Sequence, residues 1–154
     1  LDRPIINLGF SGNALSEPEV AQFLAELEAA AFVLDPLPNM SVEQVGERLA
    51  RFVLMLRAAH PTTPIVLVEH VEYADGRFVE ARRQRYAADN ARLREIYVQL
   101  GKAGQRKLFS VPAAKLLGTD GEATVDGTHP TDLGFLRMAD AIEPVLRRAL
   151  KSHR

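Results

Sequence analysis

The sequence contains no cysteine and no tryptophan, and none of its apolar runs is long. Without cysteine, disulfides, zinc–thiolate sites and a cysteine nucleophile are excluded. A membrane-spanning helix needs about 20 consecutive apolar residues, and no such run exists here. The charges are balanced, with 19 basic and 20 acidic residues, whereas nucleic acids and anionic membranes require a concentrated basic surface. We therefore expect a soluble protein that binds neither nucleic acid nor membranes.

The composition is that of a globular domain. Hydrophobic residues make up 47% and charged residues 25% of the 154 positions, close to the averages for soluble proteins. No internal repeat or linker divides the chain, so residues 1–154 are predicted to form one domain. Short apolar segments, which alternate with longer amphipathic ones, predict four β-strands at 4–10, 31–35, Ile65–Val68 and Leu108–Val111.

Capping-box patterns mark two helix starts. Ser16 is followed three residues later by Glu19, and Ser41 by Gln44, the pattern in which each side chain bonds the other's backbone N–H. Two further helices are predicted, a polar one over 79–102 and an amphipathic one that starts near Thr131 or Asp132 and buries Phe135, Met138, Ile142, Val145 and Leu146.

Strands that alternate with helices imply crossover connections, and hence a mostly parallel sheet covered on both faces. The predicted fold is therefore α/β, with three layers. In such sheets, ligands bind beyond the carboxyl ends of the strands. Three unusual loops are expected to meet at that edge: 9–13, 35–40, and the stretch that leads to Asp126 and His129.

The segment Asp126-Gly127-Thr128-His129-Pro130 precedes the last predicted helix. A histidine that acts as a general base needs a carboxylate to fix its tautomer and to stabilise the imidazolium. An aspartate three positions away in a turn can reach the imidazole directly. The alternative is that Asp126 only caps a turn and that His129 is a solvated loop residue.

Two segments offer hydrogen-bond donors for a developing oxyanion. In NLGFSGN, Gly12 lets the backbone turn sharply and present an N–H with no Cβ in the way. In DPLPNM, the side-chain amide of Asn39 follows a predicted strand. Each has a structural alternative, since glycine also suits a plain turn and asparagine can cap a helix. Ser41 already fills the cap position before the next helix.

Four blocks taken in order, NLGFSGN, LDPLPNM, PIVLVE and DGTHPTDLGF, resemble the SGNH/GDSL-type hydrolases, and the resemblance runs from about Arg3 to Leu146. It implies a flavodoxin-like, three-layer parallel sheet and a serine-dependent ester hydrolase that needs no cofactor and no metal. In this family's scheme, the motif positions of Gly12 and Asn39 donate to the oxyanion. The positions of Asp126 and His129 are the acid–base pair.

The nucleophilic serine of that family lies on a strand before the NLG strand, so the resemblance implies a nucleophile upstream of Leu1. The family's strand order, 2-1-3-4-5, makes this absent strand central. A sheet that lacks it leaves buried backbone groups unpaired on both neighbours. We therefore expect the chain alone to fold poorly, to oligomerise through the unpaired sheet, or to shift its strands into the gap. Ser11, beside Gly12, is the local alternative nucleophile.

The substrates that the resemblance implies are small acyl esters or acetyl esters of carbohydrates. The main alternative function is that of a catalytically inactive, truncated domain, retained for binding or as part of a larger protein. A flavodoxin-like or receiver-type binding domain is a third possibility. It would require a phosphate-cradling loop, or an acidic cluster with a lysine at the strand ends, and the sequence shows neither.

Other charged residues receive structural interpretations. The basic run that includes Arg82, Arg83 and Arg85 is interrupted by acidic residues, which predicts a solvated helix face. The pair Glu69-His70 follows a predicted strand and is expected to end the sheet, or alternatively to contact substrate. His153 is predicted to lie in a frayed tail.

Overall fold

The computed structural model describes residues 1–151, so His153 lies outside the described residues. Three strands form, β1 (Phe32–Leu34), β2 (Ile65–Val68) and β3 (Leu108–Val111). Short 3-10 helices cover Leu37–Asn39 and Ala113–Lys115, and a π-helical turn, Val45–Leu49, joins the second and third α-helices into one continuous helix. The α-helices are α1 (Pro18–Ala25), α2 (Val42–Gln44), α3 (Ala50–Ala59), α4 (Glu80–Lys102) and α5 (Asp132–Lys151).

The three strands form one parallel sheet in the order β1-β2-β3, with Phe32 opposite Ile65 and Ile65 opposite Leu108. Every side chain of β2 is buried because the strand is paired on both sides and covered on both faces. Successive side chains of a strand point to opposite faces. Ile65 therefore packs with the α1–α3 and α4 side, whereas Val66 packs with the α5 side. The predicted α/β fold with a parallel sheet is confirmed.

The prediction of a buried strand at 4–10 is wrong. These residues are exposed and form no strand, and within residues 1–151 no backbone hydrogen bond joins them to another element. A strand forms only where its N–H and C=O groups find partners. The predicted strand at 31–35 does form, as β1, but it pairs only with β2.

The unpaired edge of β1 opens onto a cleft of about 1400 Å³, whose lining includes residues 1–11, β1 and part of α5. Val33 faces this cleft and is 43% exposed, whereas its neighbours Phe32 and Leu34 are buried in the opposite layer. The strands have therefore not shifted to close the gap, which was one of the outcomes expected from the sequence.

One of the two predicted capping boxes is confirmed. The amide N of Gln44 donates to Ser41 Oγ at 3.3 Å, and the Ser41 amide donates to Gln44 Oε1 at 2.9 Å. The box at Ser16 is wrong, because α1 begins at Pro18 and Glu17 occupies the cap position. Ser16 instead has a positive φ of 54° and a buried hydroxyl that donates to the Met40 sulfur at 3.5 Å.

The last helix begins at Asp132, as predicted, but in its first turn a different residue points into the core. Gly134 is buried, and a Cβ there would collide with the carbonyl oxygen of Ala123. Phe135, the next residue round the helix, is 61% exposed, so its predicted burial is wrong. The inward positions Met138, Ile142, Val145 and Leu146 do pack against the sheet. In the described part of the chain, no helix is long and apolar enough to cross a membrane.

Helix α4 carries polar residues into the interior. Asp89 and Asn90 are buried, and burial raises the pKa of the Asp89 carboxyl to about 6, with Arg85 acting in the opposite direction and Glu43 in the same direction. An aspartate whose folded-state pKa lies above its unfolded value stabilises the fold only while it is protonated. Its contribution is therefore complete below about pH 4 and is lost as the pH rises towards 6.

Asp89→Asn should consequently raise the free energy of unfolding at neutral pH by about 1–3 kcal/mol relative to the parent protein, because asparagine cannot ionise. The gain should disappear near pH 4. Urea denaturation of both proteins at pH 4 and pH 7.5 measures the difference. The exposed Asp140→Asn variant, which removes a carboxylate from the surface instead, is the control. A gain of equal size at both pH values would contradict the assignment of the effect to ionisation.

Candidate active site

Asp126 and His129 form a hydrogen-bonded pair within one tight turn. Asp126 Oδ1 accepts from the backbone N–H groups of Thr128 and His129, at 2.9 and 2.8 Å, and Oδ2 lies 2.7 Å from His129 Nδ1. The contacts to His129 and Thr128 lower the pKa of the Asp126 carboxyl well below its usual range. The carboxylate thus stays ionised across the neutral range and can only accept hydrogen bonds.

This geometry fixes the state of the imidazole. Because the Asp126 carboxylate accepts, the Nδ1 of His129 must be the donor, and in neutral histidine the lone pair is then on Nε2. The His129 side chain is 77% exposed, so a reacting group can approach Nε2. An imidazole oriented by a carboxylate, with a free Nε2, is the arrangement required of a general base.

The turn is held from two sides. Val125 N donates to the His129 carbonyl at 2.8 Å, and Thr124 forms an isolated antiparallel β-bridge with Pro130. The two ends of the turn are therefore bonded to each other. On the other side, Ala74 N donates to the Gly127 carbonyl at 3.0 Å. Gly127 has a φ of 86°, and a Cβ added there would lie 3.1 Å from the Asp75 carboxyl carbon. Glycine is therefore required both by the backbone and by this close approach.

The predicted oxyanion glycine lies at the tip of a reverse turn. Asn13 N donates to the Phe10 carbonyl at 3.2 Å, with φ values of 45° at Ser11 and 83° at Gly12. Two successive positive φ angles are typical of a type I′ turn. Both Ser11 and Gly12 are exposed. The backbone of Gly12 is thus accessible, as its predicted role requires.

Asn39 ends the short 3-10 helix after β1, and its backbone N–H donates to the Pro36 carbonyl at 3.0 Å. Its side-chain amide has no hydrogen bond to any residue in 1–151, and Asn39 lies in the lining of the cleft beside β1. It does not cap the following helix, since Ser41 does so. The amide is therefore free to donate to a bound group.

The structure brings only part of the predicted site together. Ser11 and Asn39 line the same cleft, whereas Asp126 and His129 lie outside its lining. Asp35, which follows β1, is exposed and also lines the cleft.

For the other charged residues, the structure keeps one predicted role and changes another. Glu69 and His70 follow the end of β2, as expected; Glu69 is buried and bonded to Arg94 at 2.6 and 2.7 Å, and His70 is completely buried. Arg82 and Arg85 are not simply solvated, because each bonds to a distant loop. Only their position on the first turns of α4 could have indicated this.

A sequence profile of the GDSL-like Lipase/Acylhydrolase family matches residues 1–147. The chain belongs to the GDSL-like lipase/acylhydrolase family. The family comprises esterases and acylhydrolases, so the resemblance drawn from the four sequence blocks is confirmed.

Solved structures agree with the family assignment. A protein from Bacteroides ovatus, assigned as a GDSL-like lipase, superposes with a TM-score of 0.90 at 41% identity, over 95% of this chain and 43% of that chain. Salicylyl-acyltransferase SsfX3, from a tetracycline biosynthetic pathway, has a TM-score of 0.69 at 19% identity, over 88% of this chain and 42% of its own; this second likeness concerns the fold alone. This GDSL-like chain thus spans less than half the length of both proteins. Among curated protein sequences there is no match.

Gly127→Ala should destabilise the protein by more than the roughly 1–2 kcal/mol that a left-handed backbone costs an alanine, because the new methyl group must also displace Asp75. The matched control is Gly104→Ala. Gly104 has a similar φ of 84°, but a Cβ there would meet nothing within 4 Å. Urea denaturation at neutral pH measures both losses. Equal losses would show that the contact with Asp75 does not constrain the turn.

Proposed function

We propose that this chain is part of a serine-dependent carboxylic-ester hydrolase that acts through an acyl-enzyme on small acyl esters or on acetyl esters of carbohydrates. The observation that carries the proposal is the Asp126–His129 pair, 2.7 Å apart, with an accessible Nε2 on the imidazole. Membership of an acylhydrolase family supports it.

In the proposed mechanism, His129 Nε2 takes the proton of a serine hydroxyl as the serine attacks the ester carbonyl. Asp126 holds the imidazole in the correct tautomer and stabilises the imidazolium. The tetrahedral intermediate accepts hydrogen bonds from the Gly12 backbone N–H and the Asn39 amide. His129 then protonates the departing alkoxide, and a second cycle with water releases the acid and frees the serine. No step requires a metal or a cofactor.

The serine is proposed to lie on polypeptide that precedes Leu1. Of the serines in residues 1–151, Ser16 is buried against Met40, Ser41 caps α2, and Ser110 lies within β3. Ser11 is exposed and belongs to the lining of the cleft, but His129 does not belong to that lining. A local nucleophile is therefore less well supported than an upstream one.

The cleft beside β1 supports the same proposal. Phe32, the first residue of β1, donates its N–H to the carbonyl of Pro64, the residue just before β2, at 3.0 Å. Because N–H groups alternate along a strand, Val33 presents its N–H and C=O to the cleft. Residues 4–10 line this cleft, and within residues 1–151 no backbone hydrogen bond joins them to a strand or helix. One added strand between β1 and residues 4–10 would satisfy both and bring its own carboxyl end to the edge where Asn39 lies.

The rival function is a catalytically inactive domain retained for binding or as part of a larger protein. Without a nucleophile, the acid–base pair and the oxyanion donors cannot form an acyl-enzyme. Reaction with a fluorophosphonate separates the two functions, since this reagent labels only an activated serine.

A longer polypeptide that includes the residues upstream of Leu1 should gain one fluorophosphonate adduct by intact mass, whereas residues 1–154 alone should gain none. In the longer protein, His129→Ala should abolish labelling and lower kcat for a small acyl ester by roughly 10⁴-fold. His60→Ala is the control, because His60 bonds to the Ala25 carbonyl and packs on Phe32 at the start of β1, the edge opposite to the site. An adduct on Ser11 that disappears in His129→Ala would place the nucleophile within this chain. A longer protein that does not react would favour the binding function.

Amide hydrogen exchange tests the proposed strand. In residues 1–154 alone, the amide of Val33 should exchange at least 100-fold faster than those of Phe32 and Leu34, which face β2. In the longer polypeptide, Val33 should become as slow as its neighbours. The same measurement detects the proposed oligomerisation through the unpaired sheet. In that case the Val33 amide of residues 1–154 alone would be protected from exchange only at high protein concentration. A Val33 amide that stays fast in the longer protein would contradict pairing at this edge.

A further inference from the structure

The first turns of α4 contact both halves of the proposed site. On the side of His129, Arg82 donates from Nη2 to the hydroxyl of Thr128, and its Nε lies 2.7 Å from Asp75 Oδ1. The guanidinium also stacks on the ring of Tyr73, 4.2 Å from its centroid. One arginine thus joins α4 to the Asp126–His129 turn and to the loop on which that turn rests.

One helical turn further on, Arg85 reaches the other half. Its Nη2 donates to the Pro38 carbonyl at 3.0 Å, next to Asn39, whose amide is the proposed oxyanion donor. Positions three apart on a helix lie about 5–6 Å from one another on the same face. The two arginines therefore attach the two loops to neighbouring points on one rigid element.

Helix α4 is itself fixed to the end of β2. The side chain of Asn90 accepts from His70 N at 2.6 Å and donates to the His70 carbonyl at 2.9 Å. Arg94 makes two bonds to the buried carboxylate of Glu69, which also accepts from Ala113 N. The bonds from Asn90 and Arg94 are buried or partly buried and join residues that are 20 or 25 positions apart in sequence. The helix cannot slide or rotate without breaking them.

From these contacts we propose that Arg82 and Arg85 are positioning residues, which hold the general base and the oxyanion donor at a fixed separation by tying both loops to α4. The proposal rests on the proposed function for its catalytic consequence but not for its geometry. Arginine suits this task because its planar fork can bond two groups at once. Lysine would keep the charge but could not reproduce both contacts of Arg82.

Hydrogen exchange in residues 1–154 tests the geometry without any need for hydrolysis. In Arg82→Met, the amide of Ala74, which donates to Gly127, should exchange at least 10-fold faster, whereas the amide of Asn39, which donates to Pro36, should not change. In Arg85→Met, the two responses should be reversed. Arg83→Met is the matched control, since the Arg83 side chain bonds, within residues 1–151, to the exposed Glu80 of its own helix alone, and neither amide should respond.

Kinetics in the longer, ester-hydrolysing polypeptide test the catalytic consequence. Arg82→Met and Arg85→Met should each lower kcat by roughly 10–100-fold with little change in KM, because a misplaced base or oxyanion donor weakens the transition state more than substrate binding. Arg82→Lys should recover part of the loss, and Arg83→Met should retain full activity.

Unchanged exchange at Ala74 and Asn39 in both methionine variants would overturn the proposal, whatever the activity. If Arg82→Met does not fold, Thr128→Val removes the same hydrogen bond with a smaller change. Of the two amides, only that of Ala74 should then exchange faster. If the longer polypeptide hydrolyses no ester, the proposed function fails while the exchange result still decides the positioning role. A rise in KM with kcat unchanged would assign the arginines to substrate binding instead.

Discussion

The central strand β2 is hydrogen-bonded on both sides, and all four of its side chains are buried. Because the sheet is parallel, its three strands deliver their following loops to one edge. The loop with Asn39 follows β1, and the Glu69–His70 segment, which leads to the support under the Asp126–His129 turn, follows β2. Each loop is then anchored by side chains of α4, which is bonded to the end of β2. The arrangement of the candidate site therefore depends on the parallel pairing through this one strand.

Features governed by residues close together in the sequence were predictable. The capping box at Ser41 requires only Gln44, and the Asp126–His129 contact closes within four residues. β2 was recognisable because a short β-branched run in a protein of this class is a buried strand. In each case the physical cause of the structure is contained in the segment itself.

Features that depend on distant partners were not predictable in the same way. Residues 4–10 have the apolar pattern of a strand, but the pattern does not supply a neighbouring strand to pair with, and no strand of residues 1–151 pairs with them. Ser16 satisfies the capping-box pattern, yet its hydroxyl is occupied by Met40, 24 residues away. Arg82 and Arg85 have the pattern of a solvated helix face, and only the three-dimensional structure shows that the loops of Thr128 and Pro38 lie within their reach.

The two halves of the candidate site consequently differ in how far the chain itself determines them. The proposed acid–base half is preformed: the Asp126 carboxylate makes three hydrogen bonds, its turn closes on itself, and the turn rests on residues 74–75. The proposed oxyanion half is incomplete, because Gly12 follows a segment that pairs with no strand of residues 1–151, and Asn39 lies beside an unpaired strand edge. Electrostatic stabilisation of a transition state requires donors fixed in advance. A strand that pairs with β1 and with residues 4–10 would therefore do more than complete the sheet, since it would also immobilise the donor at Gly12.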